Sequence, residues 1–360
     1  MYPEYDRSAV WQVEDLERDR GWIYRIDDRH AAHVAEIVKR AFDQERPLFD
    51  YRPEEFDFGP AWKTISAAAC EAHFGRGLSV VKGLPRDRLN AEEFRILTWA
   101  IGLNLGVARP QGKASHYMSE VRSAGMSYRS AGGRGYNTNS SLDFHADTCD
   151  LVALACFNKA KAGGQSMASS SVTAWERLVA ERPDLADVAR QDFHFSRNQE
   201  EAPDEAPYYP QPLFDFRAGR LFGKWNRNRV RTAQDIEGVP PLTDAQRACT
   251  DMLDEILRRP DVMFTMWLEP GDLQFMNNHV TLHSRTEFED FEEPDRKRLL
   301  YRLWLAPPDS VPLPESWLPY YRSIEAGTVR GGIRGQQHDA ACLAFDRRQA
   351  ASHGMPLHIA

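Results

Sequence analysis

Glu269-Pro270-Gly271-Asp272-Leu273-Gln274-Phe275-Met276-Asn277-Asn278-His279-Val280-Thr281-Leu282-His283-Ser284-Arg285 reads as a Pro-Gly turn, a strand over 272–276, a polar corner and then two histidines. Short apolar runs bounded by turn residues recur on both sides of it, at 77–83, 150–158, 166–172, 213–217, 220–225, 262–268 and 299–305. The pair 213–217 and 220–225 flanks an Ala218-Gly219 turn. Helix signals lie before and between these runs. Val34, Val38, Ala41 and Phe42 recur at helical spacing, and Asn90 with Glu93 opens a helix that stops near Gly102 or Gly106. Residues 173–181 carry Trp175, Leu178 and Val179, while Thr243 and Gln246 form a capping box before Leu253, Ile256 and Leu257. The first ~70 residues read as helix and loop, and 204–212 as a Pro/Tyr-rich loop. Many short strands preceded and interrupted by helices suit a mainly-β sandwich or barrel with flanking helices, not a regular βαβ alternation. No linker divides the chain. One catalytic domain is expected, with a helix-rich part over 1–74, a core with a helical insert over 75–307 and a C-terminal extension over 308–360.

The bulk properties narrow the function classes. A chain of 360 residues with 42% apolar, 27% charged and 11% aromatic residues has the composition of a globular enzyme. Its formal net charge of −8 and the lack of any dense Lys/Arg block argue against a nucleic-acid partner. Five scattered cysteines, with no CxxC pair, fit neither a disulfide framework nor a zinc–thiolate site and read as reduced thiols. The acidic N-terminal residues do not form a signal peptide, and no stretch nears the ~20 apolar residues that span a bilayer. A cytoplasmic protein with no membrane partner is expected; a homo-oligomer is left open.

Two further segments carry chemistry. In Ser141-Leu142-Asp143-Phe144-His145-Ala146-Asp147-Thr148, His145 and Asp147 are two apart, so on a strand an imidazole and a carboxylate emerge on one face. Adding His279 or His283 completes two imidazoles and one carboxylate, the facial triad of non-haem iron(II) oxygenases. In Arg296-Lys297-Arg298-Leu299-Leu300-Tyr301-Arg302-Leu303-Trp304-Leu305, Arg298 and Arg302 share a strand face while the leucines and Trp304 fill the core. A buried guanidinium needs a partner and matches a carboxylate with two parallel hydrogen bonds. An internal salt bridge to the acids of 287–295 is the alternative use.

Together these segments resemble the taurine dioxygenase / 2,4-dichlorophenoxyacetate dioxygenase family, in the clavaminate-synthase-like branch of iron(II)/2-oxoglutarate enzymes. The resemblance rests on His145-Ala146-Asp147, Gly163-Gly164-Gln165-Ser166, Gly271-Asp272, Asn278, Leu282-His283-Ser284-Arg285, and Arg298 with Arg302, and it spans residues 75–307. It implies a double-stranded β-helix, or jelly roll. It implies Fe(II) on His145, Asp147 and His283, with His279 the rival distal ligand or else a residue behind the ligands, a substrate-facing residue or simply a polar residue of the corner. It implies 2-oxoglutarate held by Arg298 with help from the Ser166 hydroxyl, and Arg302 beside the co-substrate or the substrate. Asn137 and Asn139 before the proximal motif, and Asn226 after a strand end, are the substrate candidates, with Tyr136, Trp225 and Arg229 nearby.

The activity so implied is oxidation, chiefly hydroxylation, of an unactivated C–H in a small molecule. O2 and 2-oxoglutarate are consumed, and succinate and CO2 are released. Asp147 fits oxygen transfer better than halogenation, in which the family's carboxylate ligand is replaced. Two other classes share the ligands: a cupin-like metal-binding protein without redox function, and a metal-assisted hydrolase.

Overall fold

The computed structural model describes residues 2–125 and 135–358. Its larger sheet runs in the order Ile23–Arg25, Leu78–Lys82, Leu273–Asn277, Leu151–Asn158, Leu299–Ala306 and Val107–Ala108, and Met118–Val121 also pairs with Leu299–Ala306. Every pairing in it is antiparallel except that of Ile23–Arg25 with Leu78–Lys82. A smaller antiparallel sheet joins Phe264–Met266, Ser166–Ser170 and Thr281–Arg285.

Alternation along the strands decides what lies between the sheets. Tyr301, Leu303 and Leu305 enter a core shared with the helices Asp28–Ala41, Pro60–Phe74 and Ala91–Leu105, whereas Leu300 and Trp304 enter a different one. Leu273 and Phe275 go with the helices, and Met276 goes the other way; Ala153 and Ala155 divide likewise from Val152 and Cys156. That second core also takes Ala168 of the smaller sheet, so the two sheets face each other across it. Ala168 pairs directly with His283, and Ser166 with Arg285, which puts these polar residues on the same inward face. Met167 and Leu282 point outward, into a third core with the helices Ser171–Glu181, Pro183–Ala189 and Asp244–Leu257. Leu303 and Leu282 are almost wholly buried, and each such side chain contributes about 1.5–3 kcal/mol of apolar burial.

The structure departs from the sequence expectation in places where local signals are weak. The N-terminal region contains the three-residue strand Ile23–Arg25, too short to show a period, and it is held by the neighbouring strand. The loop expected over 204–212 contains Tyr208–Gln211, paired with Phe193–Ser196 in a two-stranded ribbon that tolerates Pro210 at its edge. Only Phe264–Met266 of the run 262–268 is strand. The helix expected from 173 starts at Ser171, because the Ser170 hydroxyl accepts from the Thr173 N–H at 3.0 Å. The C-terminal extension is built into the molecule. Its helix Ala340–Ser352 stacks Phe345 on Phe49 and Trp99, and Asp346 pairs with buried Arg109 at 3.0 Å. Among the described residues no helix is long and apolar enough to cross a membrane.

Gly163 turns the chain into Ser166–Ser170 with φ +65, and a Cβ there would collide with the Glu287 carbonyl oxygen. Gly163→Ala should cost about 1–3 kcal/mol in backbone strain alone. Urea unfolding measures this; an unchanged midpoint would show that the turn relaxes freely.

Candidate metal centre

The centre is assembled by backbone pairing. His145 N–H donates to the His283 carbonyl and His283 N–H to that of His145, both at 3.0 Å, so the two residues face each other as an antiparallel hydrogen-bonded pair. Their side chains therefore leave on one side, and the rings lie 4.4 Å apart. On the other flank His145 bridges to Asn226, and Ala146 N–H donates to the Trp225 carbonyl at 3.0 Å. Two residues on, Asp147 returns to the same face. One ligand atom from each of His145, Asp147 and His283 lies within 4.8 Å of the other two, a spacing that could hold a metal ion. His145 Nε2 is 3.9 Å and His283 Nε2 3.6 Å from the Asp147 carboxylate.

Neighbours orient these groups. His145 Nδ1 stands 2.9 Å from the Asp143 carbonyl, which places its proton on Nδ1 and leaves the Nε2 lone pair toward the centre. Trp304 Nε1 donates to Asp147 Oδ2 at 2.8 Å, and the Asp147 N–H donates to the Asn278 side chain at 2.9 Å. Burial alone would raise the Asp147 carboxyl, but Arg302 and the two imidazoles outweigh it and hold the group down at about 2. Burial, then the neighbouring His145, push His283 down to about 3, and burial lowers His145. Two neutral imidazoles and one carboxylate are thus ready at neutral pH. Nitrogen and oxygen donors on one face suit ferrous iron; the nearby Cys149 is a protonated thiol, raised well above its usual range by burial.

A cavity of about 130 Å³ opens on this face, lined also by Ser166, Asn226, Arg298 and Arg302. Arg298 is buried. Its Nη1 donates to the Val121 carbonyl at 3.2 Å and no carboxylate forms an ion pair with it among the described residues; Asp290 accepts only from its backbone N–H. Burial pushes this guanidinium down to about 10. The salt bridge expected as an alternative is not formed. Gly164, whose Cβ would press on Arg298 Nε at 3.3 Å, leaves it room. The Ser166 hydroxyl donates to Gln274 Oε1 at 3.0 Å. Arg302 donates from Nε to Gln111 at 2.9 Å and stands 3.5 Å from Asp147.

The substrate candidates divide. Asn226 lines the cavity and caps the helix Arg227–Ala233. Asn137 lies on neighbouring depressions, and the Asn139 amide donates to the Phe288 carbonyl at 3.3 Å. His279 is absent from the cavity lining and from the three-ligand cluster, which corrects its expected place as rival ligand or substrate-facing residue and agrees with the polar-corner alternative. Its Nε2 sits 2.8 Å from the buried Asp150 carboxylate, which Arg330 also grips at 2.6 Å, and this charged acceptor claims the ring. Arg229, half-buried at the cavity wall, pairs with Glu200 at 2.8 Å. The sequence reading took Trp304 for core filling and missed its indole donor. Its place four residues after Leu300 and two after Arg302 already put it on the inward face.

Trp304→Phe keeps the packing but removes the bond to Asp147, and metal affinity should fall roughly 10–100-fold in a metal titration. An imidazole in the unfolded chain titrates near ~6.5, whereas folded His283 does so at about 3. The unfolded state binds more protons across that window, so the metal-free protein should lose stability as pH falls through it. Urea midpoints at several pH values should show this slope, and His283→Gln should flatten it.

Residues 44–304 match the family described as "Taurine catabolism dioxygenase TauD, TfdA family". Over 300 residues the chain is 29% identical to the FR-33289 synthase of Streptomyces rubellomurinus, covering 82% of this chain and 88% of that protein. It is 25% identical over 323 residues to the taurine hydroxylase-like protein SAT17 of Stachybotrys chartarum, covering 84% and 81%. Among solved structures, asparagine oxygenase in complex with Fe(II), 2S,3S-3-hydroxyasparagine and succinate superposes with a TM-score of 0.58 at 18% identity, covering 79% of this chain and 93% of that one. The non-heme iron oxygenase OrfP in complex with Fe and alpha-ketoglutaric acid gives 0.58 at 15% identity, covering 79% and 94%. By the extent of that match, the chain belongs to the taurine catabolism dioxygenase TauD, TfdA family.

Proposed function

We propose that this protein is an Fe(II)- and 2-oxoglutarate-dependent dioxygenase that hydroxylates a C–H bond of a small molecule. His145, Asp147 and His283 hold the iron, and Arg298, with Ser166 beside it, receives the distal carboxylate of 2-oxoglutarate. The observation that carries the reading is the pairing of a three-ligand cluster with a buried guanidinium that has no carboxylate partner among the described residues, both on one cavity. A non-redox cupin-like binder or a hydrolase has no use for Arg298. The two facing sheets are read as the jelly roll and residues 1–360 as one catalytic unit. The FR-33289 synthase and taurine hydroxylase-like relatives, and the structures holding iron with a 2-oxo acid or succinate, support the same chemistry.

When bound, iron with 2-oxoglutarate and O2 supplies the oxidising power that yields succinate, CO2 and a hydroxylated product. The chain supplies position and charge. Trp304 and Arg302 hold the Asp147 carboxylate ionised and oriented, and Asp143 fixes the His145 tautomer. The Arg298 guanidinium regains in the co-substrate the partner that burial denies it.

Adding 2-oxoglutarate to anaerobic, iron-loaded protein should produce a visible charge-transfer band. Arg298→Gln should weaken that binding roughly 10–100-fold, the scale of lost charge-assisted hydrogen bonds, and His145→Ala or Asp147→Ala should abolish product formation. A band that forms equally well in Arg298→Gln would reject the anchor, and succinate release from metal-free protein would reject the reaction.

A further inference from the structure

Gln274 is wholly buried on the inward face of Leu273–Asn277, two residues before Met276, and it is not among the residues that line the cavity. Burying a carboxamide between two sheets is costly unless both its polar ends are met. Among the described residues its side chain makes two hydrogen bonds. Oε1 accepts from the Ser166 hydroxyl at 3.0 Å, and Nε2 donates to Met266 Sδ at 3.8 Å. Ser166 and Met266 lie opposite each other in the smaller sheet. A thioether is a weak acceptor, so the NH2 end is held loosely and the Oε1 end firmly.

Ser166 lines the cavity together with Arg298, and Gln274 is the sole hydrogen-bond partner of its hydroxyl among the described residues. While the hydroxyl proton is committed to Gln274, the oxygen shows the cavity only lone pairs. These repel a carboxylate, which Ser166 assists only by donating to it. One proton cannot serve Gln274 and a co-substrate at once. The carboxamide removes this conflict because it carries an acceptor and a donor on one planar group. Turned over, it presents its NH2 to Ser166 Oγ and frees the hydroxyl proton for the cavity. Two hydrogen bonds are exchanged for two. The bonds Ser166 to Oε1 and Nε2 to Sδ give way to one from Ser166 to a carboxylate and one from Nε2 to Oγ. A bond to an ionised acceptor is roughly twice as strong as a neutral one; the donor that Oε1 loses offsets part of the gain.

We infer that Gln274 is a positioning residue for the co-substrate: its carboxamide turns over to release the Ser166 proton to the distal carboxylate of 2-oxoglutarate, and then donates to the Ser166 oxygen. The inference rests on the roles proposed above for Arg298 and Ser166. Gln274 acts through Ser166, from behind the cavity wall.

Glutamate has the shape of glutamine but, when ionised, offers acceptors at both ends and keeps the Ser166 proton whichever way it is turned. The test titrates 2-oxoglutarate calorimetrically, at a series of pH values, into anaerobic iron-loaded full-length protein: wild type, Ser166→Ala, Gln274→Glu and the double variant. In wild type, Ser166→Ala should weaken binding roughly tenfold, the scale of a lost charge-assisted hydrogen bond. In the Gln274→Glu background the same change should cost under about twofold on the alkaline side, where the introduced carboxyl is ionised. It should regain its full cost on the acidic side, where that carboxyl is protonated and donates in place of the amide. Plain repulsion between the introduced carboxylate and the co-substrate would weaken binding but leave the cost of Ser166→Ala unchanged. A second measurement needs no Gln274 variant beyond the assignment. In wild-type protein loaded with zinc, a diamagnetic stand-in, the Gln274 side-chain amide NMR signals, identified by their loss in Gln274→Met, should move when 2-oxoglutarate is added. An equal cost of Ser166→Ala in both backgrounds at every pH, or amide signals that stay in place, would overturn the inference and leave the oxygenase reading standing. Failure of wild-type protein to bind 2-oxoglutarate would overturn both.

Discussion

His145 and His283 are 138 residues apart in the chain, yet each donates its backbone N–H to the other's carbonyl. A directly opposed antiparallel pair leaves no freedom about which way the side chains point. A shift of one residue in that register would send one imidazole into the outer core beside Leu282 and Met167. The register is defended from both sides. Ala168 lies opposite His283 within the smaller sheet, and the Asn226 bridge closes the other flank of His145. The geometry of the centre is a property of the sheet before it is a property of the side chains.

Charge organisation follows from that packing. The inward face of Leu299–Ala306 and the Arg298 that precedes it bring two guanidinium groups and an indole N–H to one lining, a costly set unless anions meet it. Asp147 answers Arg302 and Trp304, which is why it stays ionised although buried. Arg298 has no carboxylate partner among the described residues, which suits this wall to an acid.

The segment after residue 307 turns out to be part of the site. Arg330 clamps Asp150, three residues after Asp147, and its Nη2 also donates to the Val311 carbonyl at 2.7 Å. Gly332 N–H donates to the Thr148 carbonyl at 2.5 Å, and Gly331 approaches the same carbonyl with φ +69, where a Cβ would stand 2.8 Å from its oxygen. These contacts bring Tyr320 and Ile333 to the cavity wall. His279 belongs to this brace, where it connects the corner after Leu273–Asn277 to Asp150.

Much of this was legible in one dimension because it is carried by short periods. The spacing of His145 and Asp147 is a strand period, as is that of Arg298, Arg302 and Trp304, and the Pro-Gly turn before Leu273 marks where its strand begins. The family resemblance added the distal histidine and the roles of Arg298 and Ser166. What needed three dimensions were partners with no local signature: Asp150 for His279, Glu200 for Arg229, and the Tyr320 ring for Lys224. A periodic pattern tells which face a side chain takes, because backbone geometry is local. Which charge it meets there depends on chain closure over a hundred residues or more, and only the folded packing decides that.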